Sequence, residues 1–251
     1  MQREMIRTGR TFLEETKFAH LTPSDQVLGR PQPPLERPHA GPVTPLPPPE
    51  DADLRPVSLV EAIARRRSVR TYAPEPLPLA TLSYLLWCSQ GVTSVFRDTW
   101  TFRTVPSAGA RHALETYLLV NQVEGLAPGL YHYAAVSHGL SAVEAPENVV
   151  DAVEEALIGQ PMVGNAAVVF LWAADIYRMT WRYGERGYRY IFIDAGHACQ
   201  NLYLGAEAVG CGVCAMAAFD DDALDALLGL DGERSFAIYA AAVGVERVIP
   251  I

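Results

Sequence analysis

Lysine is almost missing from this chain. Of 20 cationic side chains only Lys17 is a lysine, so a lysine nucleophile or Schiff base has one candidate, near the N-terminus, and anion binding falls to arginine. Positive charge is the minority sign: 29 acidic side chains leave a net charge of −9, which opposes an extended grip on a phosphate backbone and excludes nucleic acid as the expected partner. Cysteine is scarce too. Cys88, Cys199, Cys211 and Cys214 are too few for a disulfide framework in 251 residues, and reduced thiols are expected. No apolar run approaches the ~18 residues that cross a bilayer; Ala166 to Ala174 and Phe236 to Val245 are shorter and read as buried strands. The opening MQREMIRTGRTFLEETK lacks an apolar signal core before its first acids, so the expected location is cytoplasmic, with no membrane partner.

What is present suits a globular protein: 49% of residues are apolar and 20% charged, far from the regime of disordered chains. Nine of the 19 prolines fall between Pro31 and Pro49, which forbids a continuous helix and predicts an extended arm. Such an arm packs on its own fold or on a dimer mate; a proline-rich ligand for a small recognition domain is the alternative. The expected division is residues 1–50 as an N-terminal helix (Thr8 to His20) with the arm, and residues 51–251 as one folded domain.

Ser58 and Glu61 make the S-x-x-E pattern in which each side chain caps the other's backbone N–H, with Leu59, Ala62 and Ile63 as an apolar stripe. The helix that starts there is expected to end in the cations of RRRSVR, which suit the negative end of the helix dipole. Leu79 to Ser89 predicts a second helix that buries Leu82, Leu85 and Leu86 and stops at Gly91. Strand-like runs follow at Thr116 to Val123, Gly129 to Ala134, Ala166 to Ala174 and Ser235 to Val245, separated by helical patterns at Val149 to Leu157, Asp194 to Val209 and Asp221 to Leu228. Without strict βα alternation, the fold class is α+β.

Three segments carry the chemistry. In an acidic chain, Arg65, Arg66, Arg67, Ser68 and Arg70 concentrate guanidinium forks and a hydroxyl in six residues, an arrangement suited to a phosphate, with a solvated helix end as the alternative. Pro106, Ser107, Ala108 and Gly109 form a turn whose small side chains let a planar ligand approach the backbone, or are an ordinary turn. The third is YRYIFIDAGHACQN, from Tyr188 to Asn201, leading to Met216, Ala217 and Ala218. A zinc site at His197, Cys199, Cys211 and Cys214 is disfavoured, because His197 and Cys199, two residues apart on a helix, point to different faces.

In the order RRRSVR, PSAG and DAGHACQNLYLGAEAVGCG, these segments make the chain resemble the FMN-dependent nitroreductase-like superfamily. Within it the likeness is to the SagB-type dehydrogenases, which oxidise azolines to azoles on peptides. The resemblance implies a mainly antiparallel central sheet flanked by helices, and a homodimer with FMN at its interface. It also implies that Arg66, Ser68 and Arg70, with Arg67 beside them, hold the FMN phosphate and ribityl chain. Pro106, Ser107, Ala108 and Gly109 would then border the isoalloxazine ring, while backbone N–H groups of Met216, Ala217 and Ala218 approach its N5 and O4. Asp194, His197, Gln200 and Asn201 are given mainly structural roles.

Where thiazole-forming members carry a lysine and tyrosine pair for the proton step, this chain has Arg182 and Tyr183. Arginine stays protonated and is a poor base, which leaves Tyr183 as the proton-handling candidate and Arg182 to assist it, to bind a substrate carboxylate, or to pair with Glu185. The substrate implied is a small molecule, a peptide or a carrier-tethered group. The alternatives are an NAD(P)H-dependent nitro or quinone reductase and a non-catalytic FMN-binding subunit of a biosynthetic complex.

Overall fold

The computed structural model describes residues 7–97 and 99–247. Its helices are α1 (Arg7–Glu15), α2 (Leu59–Arg65), α3 (Leu79–Gln90), α4 (Val149–Ala156), α5 (Met162–Asn165), α6 (Ile176–Tyr183), α7 (Gly187–Ala208) and α8 (Asp221–Leu228). The strands are β1 (Val43–Pro45), β2 (Val92–Phe96), β3 (Trp100–Arg103), β4 (Leu114–Val120), β5 (Gly129–Ala134), β6 (Gly139–Val143), β7 (Val168–Asp175), β8 (Cys211–Met216) and β9 (Ser235–Val245). Seven of them form an antiparallel sheet in the order β1-β6-β5-β4-β7-β9-β8, and β2 pairs with β3 in a separate hairpin. This is the expected α+β class.

Strands β7 and β9 read as nearly unbroken apolar runs because helices cover both faces of the sheet. Period-two alternation sends Leu114, Leu118, Phe170 and Trp172 towards α3 and α7, and Tyr117, Leu119, Val169 and Leu171 towards α4, α5 and α8. On α7 the buried positions Ile191, Asp194, Ala195, Ala198, Cys199, Leu202 and Tyr203 recur at helical spacing and make one stripe against the sheet.

Several elements depart from the sequence reading. The capping box between Ser58 and Glu61 is present, but α2 ends at Arg65 and the remaining arginines lie on extended backbone, so the helix dipole does not organise them. Ala62 is buried, whereas Leu59 and Ile63 are 66% and 57% exposed, so the expected apolar stripe faces outward. Helix α7 begins seven residues before Asp194, and α6 precedes it where no helix was expected. Part of the proline arm is a strand: β1 adds to the sheet edge, where Pro45 needs no ladder donor.

A buried charge network ties that arm to the sheet. Arg178 on α6 pairs with Glu115 on β4, His132 Nε2 lies 2.8 Å from the other carboxylate oxygen, and the Arg37 N–H donates to Glu115 at 2.8 Å. Burial works to raise the Glu115 pKa, but the Arg178 charge and the His132 contact together hold it well below the usual carboxylate range.

Candidate functional site

After α2 the chain runs beside β8: the Val69 N–H donates to Val213 O at 2.9 Å, and a side chain on Gly212 would collide with Val69. Extended backbone alternates, so Arg66, Ser68 and Arg70 share one side while Arg67 and Val69 take the other. Arg67 was expected beside its neighbours; it turns away instead and pairs with Glu246. On the shared side, Tyr203 of α7 is the junction. Its hydroxyl accepts the Ala215 N–H at 2.9 Å and lies 3.1 Å from Ser68 Oγ, and the Arg66 guanidinium sits 5.4 Å over its ring. Tyr203 thus joins RRRSVR to the end of β8, where Met216 is buried and Ala217 and Ala218 are exposed. The N–H groups of Ala217 and Ala218 donate to no acceptor among the described residues, which leaves two backbone donors beside the arginines.

The second cluster is built on the turn from Pro106 to Gly109. Ser107 Oγ donates to Asp194 Oδ2 at 2.5 Å, and the Ala108 N–H to Asp194 Oδ1 at 3.3 Å. Burial raises the Asp194 pKa above its ordinary value, against the pull of those two donors. The backbone here is strained: Gly109, Ala110 and His112 have φ of 57°, 51° and 44°, and such conformations persist where surrounding contacts impose them. A side chain at Gly109 would strike the Tyr183 hydroxyl and the Arg182 side chain. The turn and the Arg182–Tyr183 pair, 73 residues apart in sequence, are therefore in direct apposition.

The N-terminal segment holds α6 in this position. The Tyr177 hydroxyl donates to Asp25 at 2.9 Å, the Gln26 N–H to Trp181 O at 2.8 Å, and Trp181 Nε1 to Arg30 O at 3.1 Å. Lys17 lies outside both clusters, exposed and paired with Glu14 at 2.6 Å.

The two clusters meet α7 at Asp194 and Tyr203, nine residues and so about 13 Å apart along the helix axis. The two clusters on one chain are therefore separate. Between them Asn201 Nδ2 donates to Cys88 O at 3.2 Å and Thr104 O at 3.3 Å, while His197 and Gln200 are exposed. Burial pushes the Cys199 and Cys211 thiols up to about 12 and Cys88 up to about 11, so these are packing groups and not thiolates. Sequence reasoning missed Tyr203 and Arg111, and gave Asp194 no particular partner. The only signal for Tyr203 was its place on the apolar stripe of a helix.

A family model described as "Nitroreductase family" matches residues 63–245. MJ1384 of Methanocaldococcus jannaschii, assigned by name to the nitroreductases, is 37% identical over 176 residues, 70% of this chain and 86% of that protein. The trifolitoxin-processing protein TfxB of Rhizobium leguminosarum bv. trifolii is 31% identical over 133 residues, 51% of this chain but 36% of TfxB. Among solved structures, the E. coli microcin synthetase McbBCD complex with truncated pro-MccB17 bound aligns with a TM-score of 0.61 at 19% identity, covering 99% of this chain and 95% of that one. A structure from Desulfovibrio desulfuricans, assigned to the nitroreductases and in complex with FMN, aligns with a TM-score of 0.52 at 18% identity over 78% of this chain and 94% of that one. At those identities the two structures speak to the fold.

Proposed function

The chain belongs to the nitroreductase family, whose members are generally FMN-dependent oxidoreductases, and from that premise we propose that it is a SagB-type, FMN-dependent dehydrogenase acting in the cytoplasm on an azoline-like or related peptide-derived substrate. The observation that carries this reading is the apposition of Arg182 and Tyr183 to Gly109. A phenol beside a guanidinium, on a turn of small residues, is a group able to move a proton at a flat ligand. The names of TfxB and of the microcin synthetase, both tied to peptide products, favour a peptide-derived substrate.

The residues present fit FMN. Arg66, Ser68 and Arg70 offer cations and a hydroxyl to its phosphate. Pro106, Ser107, Ala108 and Gly109 offer a wall without bulk, and Ala217 and Ala218, just after Met216, offer the free N–H groups that a flavin ring accepts. When bound, FMN supplies the hydride acceptor at N5. The protein's share is to exclude water, orient the substrate against the turn and move its proton at Tyr183 Oη, with Arg182 alongside.

A homodimer completes the site on this reading. Two half-sites on one chain call for a second copy, and Phe192 and Ile193 on α7, with Leu59, Val60 and Ile63 on α2, are apolar and more than half exposed.

The test is anaerobic incubation of the FMN-loaded protein with a thiazoline-bearing peptide. Flavin bleaching with loss of a hydrogen pair per ring, abolished in Tyr183→Phe while FMN stays bound, is the expected result. Rapid bleaching by NADPH without ring oxidation would identify a reductase instead, and bound FMN that responds to neither would identify a binding subunit.

A further inference from the structure

Two guanidinium groups pack at the Gly109 turn, and among the described residues no carboxylate pairs with either. Arg111 is 8% exposed, its Nε donates to Gly109 O at 3.2 Å, and its guanidinium lies 5.3 Å over the Trp181 ring. Its terminal nitrogens donate to no acceptor among the described residues. Arg182 packs against the same glycine, with its guanidinium 5.6 Å over the Tyr183 ring. Among the described residues it forms no ion pair, with Glu185 or with any other acid.

Several other arginines packed against this fold have acceptors. Arg178 has Glu115 and Asp175, Arg67 has Glu246, and Arg186 and Arg189 have Thr16. Burial first, and then the Arg182 charge, draw the Arg111 pKa down. Like charges brought together, one of them largely out of water, cost free energy that a neighbouring carboxylate would relieve. Among the described residues no acid pairs with either guanidinium. The positive φ at Gly109, Ala110 and His112 persists because the contacts around the turn impose it.

We propose that Arg111 and Arg182 form a clamp for a free carboxylate on the substrate. The planar guanidinium fork matches a carboxylate edge to edge, and the Trp181 ring backs it as a flat wall. The substrate is then an acid: a small heterocyclic carboxylate, or a peptide whose last residue is the ring and keeps its C-terminal carboxylate. A thioester on a carrier, or a ring inside a peptide, brings no anion to this place. This deepens the dehydrogenase reading and rests on it for the identity of the site.

Titration calorimetry on the purified, FMN-loaded protein tests it, with a thiazoline carboxylate, its primary amide, a short peptide ending in the same ring acid, and inorganic phosphate as probes. The free acid or the acid-ended peptide should bind about tenfold or more tightly than the amide, as expected for a charge-assisted fork, and the one that binds identifies the source of the carboxylate. Arg182→Gln, at an exposed position, should remove that preference without loss of FMN, and so should Arg111→Gln if it folds. Equal binding of acid and amide, an acid preference that survives in Arg182→Gln, or binding of phosphate but neither acid would overturn the clamp. A protein that takes up no flavin yet prefers the acid would sink the dehydrogenase reading and leave the clamp standing.

Discussion

Asp194 on α7 receives both the Ser107 hydroxyl, at 2.5 Å, and the Ala108 N–H, at 3.3 Å, so one buried carboxylate fixes the turn that faces Arg182 and Tyr183. Asp194→Ala leaves both donors without a partner and should destabilise the fold by about 1–3 kcal/mol, with weaker FMN binding. The pH dependence has a definite sign. Burial raises the Asp194 pKa in the folded state above 3.8, so its contribution to stability is complete below that value and is lost as pH rises through the raised one. Denaturant melts across this range should show the loss in the parent and not in Asp194→Asn.

Backbone alternation after α2 separates residues that the sequence groups together. Arg66→Ala and Arg70→Ala should each weaken FMN binding about tenfold or more, as for a lost charge-assisted phosphate contact. Arg67→Ala should leave it near the parent value, because Arg67 is turned towards Glu246. Fluorescence titration with FMN separates the three; equal losses would mean that the alternation does not govern the phosphate site.

Gly109 has φ of 57° and no room for a methyl group against Tyr183 and Arg182. Gly109→Ala should therefore lower turnover far more than it lowers the melting temperature, since the displaced groups are those proposed to handle the substrate; the strain itself is about 1–2 kcal/mol. Parallel kinetic and thermal measurements give the comparison.

Glu115 is 4% exposed and bound to Arg178. Replacing it with Gln leaves Arg178 with the more exposed Asp175 as its remaining carboxylate among the described residues and should cost up to about 3–5 kcal/mol. Because its folded pKa lies below the ordinary 4.5, the stability it confers is present above that value and is lost as pH falls towards the folded value. Acid unfolding of Glu115→Gln should accordingly be flatter than that of the parent below about pH 4.5.

The central helices and strands were legible because burial on both faces writes continuous apolar runs, as at Val168–Asp175, and one-sided burial writes helical spacing, as on α7. Helix α6 was not, since IYRMTWRY owes its place to Asp25, Gln26, Arg30 and Leu35 of the N-terminal segment, contacts that no local pattern records. The three site segments were readable as motifs, and their order pointed to the family. The direction of Arg67 was hidden, because it depends on Val69 pairing with Val213 in place of continuing a helix. Arg111 was given no role; that its terminal nitrogens have no acceptor among the described residues shows only in the folded chain.

The most direct test of the account is the visible spectrum of the purified protein after reconstitution with FMN and removal of the excess. A flavin spectrum at one FMN per chain, lost in the Arg66→Ala and Arg70→Ala double variant, is the predicted result. A protein that remains colourless, or a double variant that keeps full occupancy, would contradict it.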